Sequence, residues 1–288
     1  MSEPTPVVAS DLDRTLVWSA RAGGVPVEAV EASLDDGRVT CVEVYEGRPL
    51  SFVATSAEPL LRALVAGGRL VPVTTRTRAQ YERIRLPGGP ARLAVCLNGG
   101  RVLVEGVEDA VHRAAAARAV AASAPIERAE DLLGTWLGDH AAVLGPGRLR
   151  DAERLFLYAV LEAAPDPVAA ARALAEVVAA ADALGWGVSV QGRKVYLVPQ
   201  GLTKESALAH LERAHGVRVV AAAGDSLLDQ GMIAAAGAGW VPRDSEAERA
   251  SAVAPGAVVT ASSGLAAGAE IVAAIGALLE VPPGVTGS

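Results

Sequence analysis

The 288-residue chain is 51% hydrophobic and 20% charged, with a formal net charge of −7. That length supplies apolar sequence for one large or two modest cores, and an acidic balance without a concentrated basic face excludes a nucleic-acid polymer as principal partner. No apolar run reaches the roughly eighteen uninterrupted residues of a membrane-spanning helix, so no membrane partner is expected.

Residues 1–6 lack the basic and apolar regions of a signal peptide, and a cytoplasmic location is the expectation. The two cysteines, Cys41 and Cys96, lie in apolar runs and read as small packing groups in a reducing compartment. Four scattered histidines give no zinc spacing. Arginine outnumbers lysine 24 to two, the exceptions being Lys194 and Lys204. A compact ammonium can approach a carboxylate and a phosphoryl group together, which a planar guanidinium does less well, so a functional lysine is expected.

In chain order, residues 6–10 form a short apolar strand that ends in Asp11 and Asp13. Residues i and i+2 of an extended chain share a side, so the two carboxylates crowd one another unless a cation or a reaction uses them. The alternative is one helix cap and one solvated loop acid. The segment to about Gly24 reads as helix or loop, and residues 39–45 with Glu46-Gly47-Arg48 as a strand and turn forming a small flap near the site. Leu60, Leu61, Leu64 and Val65 give helical spacing over 57–66, stopped by Gly67-Gly68. Residues 70–73 form a second strand running into Thr74-Thr75-Arg76-Thr77. A hydroxyl and backbone N–H groups at such a turn suit a phosphate; equally, Thr74 or Thr77 caps a helix through Tyr81 and Ile84. A third strand, 93–97, ends in Asn98-Gly99-Gly100, with 101–104 as its hairpin partner.

From about Glu105 the sequence turns Ala-rich. Helices are expected over 108–122 and 167–183, a strand over 154–160, and a hairpin pairing 186–190 with 194–198 around Gln191-Gly192-Arg193. Trp136 and Trp186 read as packing residues. This predicts a smaller α/β unit, 105–194, inserted into a parallel-sheet α/β unit made of 1–104 and 195–288. Thr203 is the expected N-cap of the next helix, placing Lys204 in its first turn, where a cation is unfavourable unless an anion sits beside it. Residues 217–223 form the best buried strand and deliver Gly224, Asp225 and Asp229. Gly224 permits close backbone approach, Asp225 can ligate a hard cation, and Asp229 can ligate or orient the lysine. Strands over 238–241 and 257–260 and a helix over 264–279 complete the chain.

Strand ends and a helix start thus bring Asp11, Asp13, Thr74, Lys204, Asp225 and Asp229 to the carboxyl edge of one sheet. The set suits phosphoryl transfer through an aspartyl-phosphate, with Mg2+ as the hard cation and with Lys204 and Thr74 holding phosphoryl oxygens.

The order Asp11-Leu12-Asp13-Arg14-Thr15-Leu16, Val73-Thr74, Lys204 and Gly224-Asp225-Ser226-Leu227-Leu228-Asp229 resembles the haloacid dehalogenase-like (HAD) hydrolase superfamily, in particular phosphatases with an α/β cap inserted before the lysine. The resemblance implies a Rossmann-like core, Asp11 as nucleophile and Asp13 as acid and base. It also implies Mg2+ held by Asp11, the Asp13 carbonyl and Asp225, with Asp229 supporting the metal shell or Lys204. The expected substrate is a small phosphorylated metabolite, a sugar phosphate or nucleotide-like ester. A phosphomutase with the same nucleophile and a low-turnover metal-binding regulatory protein are the alternatives. Arg14 and Thr75 depart from the usual glycines of this pattern, and with Arg76 and Asn98 they are candidate substrate contacts. Arg150, Arg154, Tyr158, Gln191, Arg193 and Lys194 are the candidates from the cap; a phosphonate-cleaving variant would use Lys194 as a Schiff-base lysine. Residues 11–19, 41–48 and 71–81 are also similar to the phosphatase-like proteins encoded with bacterial tellurium-resistance and stress genes.

Overall fold

The computed structural model describes residues 3–19, 36–166 and 168–282. The chain divides into two compact units, 1–109 with 204–288, and 110–203.

The first unit is built on a five-stranded parallel sheet in the order Ala257–Val259, Gly239–Val241, Val217–Ala223, Thr5–Ser10, Leu70–Pro72. A parallel bridge between Val73 and Val95 joins the edge of this sheet to the hairpin Leu93–Cys96/Arg101–Val104. Pro72, lacking an N–H, sits where the following Val73 N–H carries the pairing, to Ser10 O at 2.8 Å. Alternation along the strand Thr5–Ser10 sends Val8 to one face, with Leu61, Leu64, Ile271 and Ile275 of the helices Glu58–Ala66 and Gly264–Leu278. Val7 and Ala9 point to the other, with Leu208, Leu211 and Ile233 of the helices Lys204–His215 and Gln230–Ala236. Both faces are therefore covered, which explains why the sheet strands read as continuous apolar runs; each Val, Leu or Ile fully buried there contributes ~1.5–3 kcal/mol.

The flap is the antiparallel hairpin Val39–Tyr45/Arg48–Ala54, with Trp18–Ser19 pairing on its other side. The helix or loop expected to about Gly24 lies largely outside the described residues. Thr77 is the helix cap, through a capping box with Gln80, but its helix is only Arg78–Tyr81 and does not reach Ile84.

The second unit has a four-stranded antiparallel sheet, in the order Trp186–Gln191, Lys194–Pro199, Phe156–Leu161, Gly147–Ala152. The helices Ile126–Asp139 and Ala171–Asp182 pack together, and Trp136 Nε1 donates to Ala173 O at 2.8 Å. Because Lys194–Pro199 is bonded to a strand on each side, it lies inside this sheet and the unit runs to Thr203 rather than 194. The hairpin Arg101–Val104/Val107–Glu108 stays with the first unit, which moves the other division to 109/110. Ile126–Asp139 and Gly147–Ala152 were not expected from the sequence. Both cysteines are free, Cys96 buried as expected and Cys41 only half-buried. No helix among the described residues is long and apolar enough to cross a membrane.

Candidate active site

Asp11 follows the strand Thr5–Ser10 directly, its N–H donating to Ala223 O at 2.9 Å. The next residue, Leu12, is fully buried in the core, and its carbonyl accepts the N–H groups of Thr15, Leu16 and Val17. That tight turn holds Arg14 at φ 64° and fixes the acids on either side of an anchored apolar residue. The neighbouring strand delivers Gly224 and Asp225. A Cβ on Gly224 would lie 2.3 Å from Asp229 Cβ, so only glycine lets the Asp229 carboxylate fold back over this loop. Asp229 Oδ2 accepts the Ser226 N–H at 2.8 Å and the Ser226 hydroxyl at 2.7 Å.

Lys204 opens the helix Lys204–His215 and is almost wholly buried. Its ammonium donates to Asp11 Oδ1 at 2.7 Å and to Asp229 Oδ1, the anions that a lysine at a helix start requires. Burial opposes its charge, but Asp11 and Asp229 outweigh that and raise its pKa, so it stays an ammonium. Asp11 is pushed up to about 7 by burial, and by Asp229 and Asp13, against the pull of Lys204. Asp225 is raised well above the ordinary carboxylate range by burial and by Asp11 and Asp229. Its Oδ2 is buried without a hydrogen-bond partner; Arg14 Nε stands 3.4 Å away. Oxygens of Asp11, Asp225 and Asp229 lie within 4.8 Å of one another. Three buried carboxylates against one ammonium and one partly exposed guanidinium leave an excess of negative charge that a divalent, oxygen-seeking cation fits.

Asp13 stands in a different environment. Arg76 grips it with two bonds, Nε to Oδ2 at 2.6 Å and Nη2 to Oδ1 at 2.8 Å. Arg76 also grips Glu43, Nη1 to Oε1 and Nη2 to Oε2, each at 3.0 Å. Glu43 is buried in the flap and further accepts from the Ser51 hydroxyl at 2.7 Å and from Arg83 Nε at 3.1 Å. Burial works against Glu43, yet chiefly its bonds to Arg76 hold its pKa below the usual range. Arg76 in turn is raised, first by Asp13 and then by Glu43, against its own burial. Glu43 is the site residue that sequence reasoning missed. The pairing of its strand slips on either side of it, so that Val42 and Glu43 are both buried where simple alternation sends Glu43 to solvent.

Thr74 is fully buried at the end of the strand beside that of Asp11; its N–H donates to Val95 O at 2.8 Å and its hydroxyl accepts the Arg76 N–H at 3.1 Å. Asn98 is buried in a left-handed conformation, its N–H donating to Thr74 O at 3.0 Å, and Thr75 is half-buried.

At the level of sequence, neither a protein-family model nor a curated protein matches the chain. Solved structures do match its fold across nearly its whole length. The C-terminal domain of a C. albicans trehalose-6-phosphate phosphatase superposes with a TM-score of 0.58 at 11% identity, covering 97% of this chain and 93% of that one. A HAD subclass IIB sugar phosphatase gives 0.56 at 12% identity, covering 95% and 99%. The sucrose-phosphatase of Synechocystis, in complex with sucrose and phosphate, gives 0.54 at 15% identity, covering 95% and 98%. The fold is that of the HAD phosphatases.

Of the candidates in the inserted unit of this HAD fold, Arg150, Tyr158, Lys194 and Gln191 share one face of its sheet. Arg150 pairs in register with Tyr158, and Tyr158 with Tyr196; the two tyrosine rings stack at 5.5 Å. Lys194 Nζ lies 5.9 Å from the centre of the Tyr158 ring and 6.0 Å from that of Tyr196. Arg154 does not join them. It sits in the turn after Gly147–Ala152, at φ 59°, paired with Asp151 and Glu127, so the strand expected from 154 begins at Phe156. Arg193 is exposed at the tip of the next hairpin, with Gln191 ending the strand before it.

Proposed function

We propose that this protein is a Mg2+-dependent phosphomonoesterase that hydrolyses a small phosphorylated metabolite through an aspartyl-phosphate on Asp11. The observation that carries the reading is the buried Asp11 carboxylate, bridged through Lys204 to Asp229 and placed beside the Asp225 oxygen that lacks a hydrogen-bond partner. Asp11 and Asp225, with the Asp13 carbonyl, would hold Mg2+, and Asp229 would steady Lys204. Bound there, the ion supplies positive charge between carboxylates and phosphoryl oxygens.

In the first step an Asp11 oxygen attacks phosphorus as the bond to the ester oxygen breaks, and the leaving oxygen takes a proton from Asp13. In the second, the Asp13 carboxylate removes a proton from water, whose oxygen attacks phosphorus and releases phosphate from Asp11. Arg76 holds the Asp13 carboxyl in place for both proton transfers, while Glu43 fixes the direction of Arg76. Lys204 and the Thr74 hydroxyl would hold phosphoryl oxygens as charge redistributes. The fold is shared with sugar phosphatases, which favours a sugar phosphate as substrate.

The test is phosphate release from sugar phosphates, nucleotides and an aryl phosphate, with Mg2+ or EDTA. Release that needs Mg2+ and is lost in Asp11→Asn is expected. Formation of a phosphate isomer instead of free phosphate would identify a mutase, and substantial turnover by Asp11→Asn would exclude Asp11 as nucleophile.

A further inference from the structure

The spacing of the histidines shows no metal motif, yet the fold brings two of them onto one carboxylate. His210 Nε2 lies 2.9 Å and His215 Nε2 2.8 Å from Asp109 Oδ2. The donor atoms of the three residues all fall within 4.8 Å of one another. The imidazole centres are 5.8 Å apart in an edge arrangement, so both rings present Nε2 to the same point. The side chains of Asp109, His210 and His215 retain 11%, 12% and 21% of their exposure, which leaves the cluster mostly desolvated but reachable by a small ion.

We propose that Asp109, His210 and His215 bind one divalent transition-metal ion of the Zn2+ class, separately from the Asp11 cluster. Two neutral imidazoles and a carboxylate are a donor set for Zn2+, Co2+ or Ni2+, with room for water at the remaining positions, and imidazole discriminates against Mg2+. In the ion-free state the two rings direct N–H groups at the shared oxygen; binding moves those protons to Nδ1 or to solvent and turns the Nε2 lone pairs to the ion. Bonds of ~2.0–2.1 Å to a tetrahedral ion separate donor atoms by ~3.3 Å, so each Nε2 moves away from the Asp109 oxygen by only about half an ångström.

The placement gives the ion a role. His210 and His215 lie on the helix Lys204–His215, whose first residue holds Asp11 and Asp229 through its ammonium. Asp109 closes the first of the two segments that make up the first unit, its own N–H donating to Val102 O at 2.9 Å in the hairpin against which that helix packs. An ion at the cluster ties the far half of the lysine-bearing helix to that hairpin and stiffens the scaffold behind Lys204. The site stands whatever reaction Asp11 performs.

Isothermal titration of the full-length protein with Zn2+, in excess Mg2+ to occupy the acidic cluster, tests this, with Co2+ as spectroscopic probe. The expected result is one Zn2+ per chain, a Co2+ visible spectrum of low coordination number, and a rise in Tm on Zn2+ addition. His210→Gln and His215→Gln, each checked for native circular dichroism, should each weaken Zn2+ binding by roughly 100-fold or more, while Asp225→Asn keeps it. Absence of Zn2+ binding, wild-type affinity in both histidine variants, or loss of that binding in Asp225→Asn instead would overturn the proposal.

Discussion

The two halves of the acidic centre are built on opposite principles. Around Asp11, Asp225 and Asp229 negative charge exceeds positive, all three acids are buried, and one oxygen of Asp225 has no hydrogen-bond partner. Around Asp13 and Glu43 both oxygens of each carboxylate are bonded, and one guanidinium serves both acids in paired geometry. In the proposed reaction the first half would receive a cation and a phosphoryl group. The second is complete in itself and would hold the proton-transfer group in place. An electrostatic deficit therefore marks where a ligand goes, and a satisfied network marks what must not move.

Substitutions at four positions break or sharpen this contrast. Asp11→Asn removes the attacking oxygen and should lower kcat on the order of 10⁴-fold or more while leaving circular dichroism unchanged. Glu43→Ala leaves Arg76 paired with Asp13 alone and should cost ~2 kcal/mol in urea denaturation, whereas Glu43→Gln should keep the fold but lower kcat by about 100-fold through a misplaced Asp13. Equal activity of Glu43→Gln and wild type would reduce the network to a structural one.

The third concerns pH. Asp225 is raised by burial and by its acidic neighbours, and Asp11 is raised to about 7, so the folded state holds these protons more tightly than the unfolded chain. Their contribution to stability is fully present below about pH 4 and is lost as pH rises towards 7. Metal-free Asp225→Asn should accordingly be more stable than wild type at pH 8, on the order of 1–2 kcal/mol, with the gain vanishing at acid pH. Glu43 runs the other way. Held low, chiefly by Arg76, it contributes stability above the ordinary glutamate range, and that is lost as pH falls through its depressed value. The stability deficit of Glu43→Gln should shrink at acid pH, where the stability gain of Asp225→Asn also vanishes. The smallest effect belongs to Arg154→Ala, an exposed pair of the inserted unit, which should leave the denaturation midpoint unchanged.

Much of the first unit is legible in the sequence because its parallel strands are buried on both faces and end in chemistry-bearing residues. Lys204 is legible as an exception to an arginine-rich composition, and Gly224 as the glycine before two acids. Glu43 is not, since a slip in strand pairing overturns the alternation from which an inward or outward direction is read. Nor is the pairing of Arg76 with Asp13, which joins residues 63 positions apart. Thr74 and Thr77 read alike in sequence; the fold makes Thr77 the cap and leaves Thr74 at the strand end. In the inserted unit Gly147–Ala152 is an edge strand with three charged side chains, and exposure hides its period. Ile126–Asp139 shows only a narrow buried stripe, Ala129, Leu133 and Trp136, in a polar sequence.

The central claim is that Asp11 carries the phosphoryl group. Rapid acid quench during turnover of a ³²P-labelled sugar phosphate, followed by peptide mapping, tests it most directly. The account predicts transient label on the peptide containing Asp11, released by hydroxylamine and absent in Asp11→Asn. Turnover with no labelled protein, or label on a different residue, would contradict it.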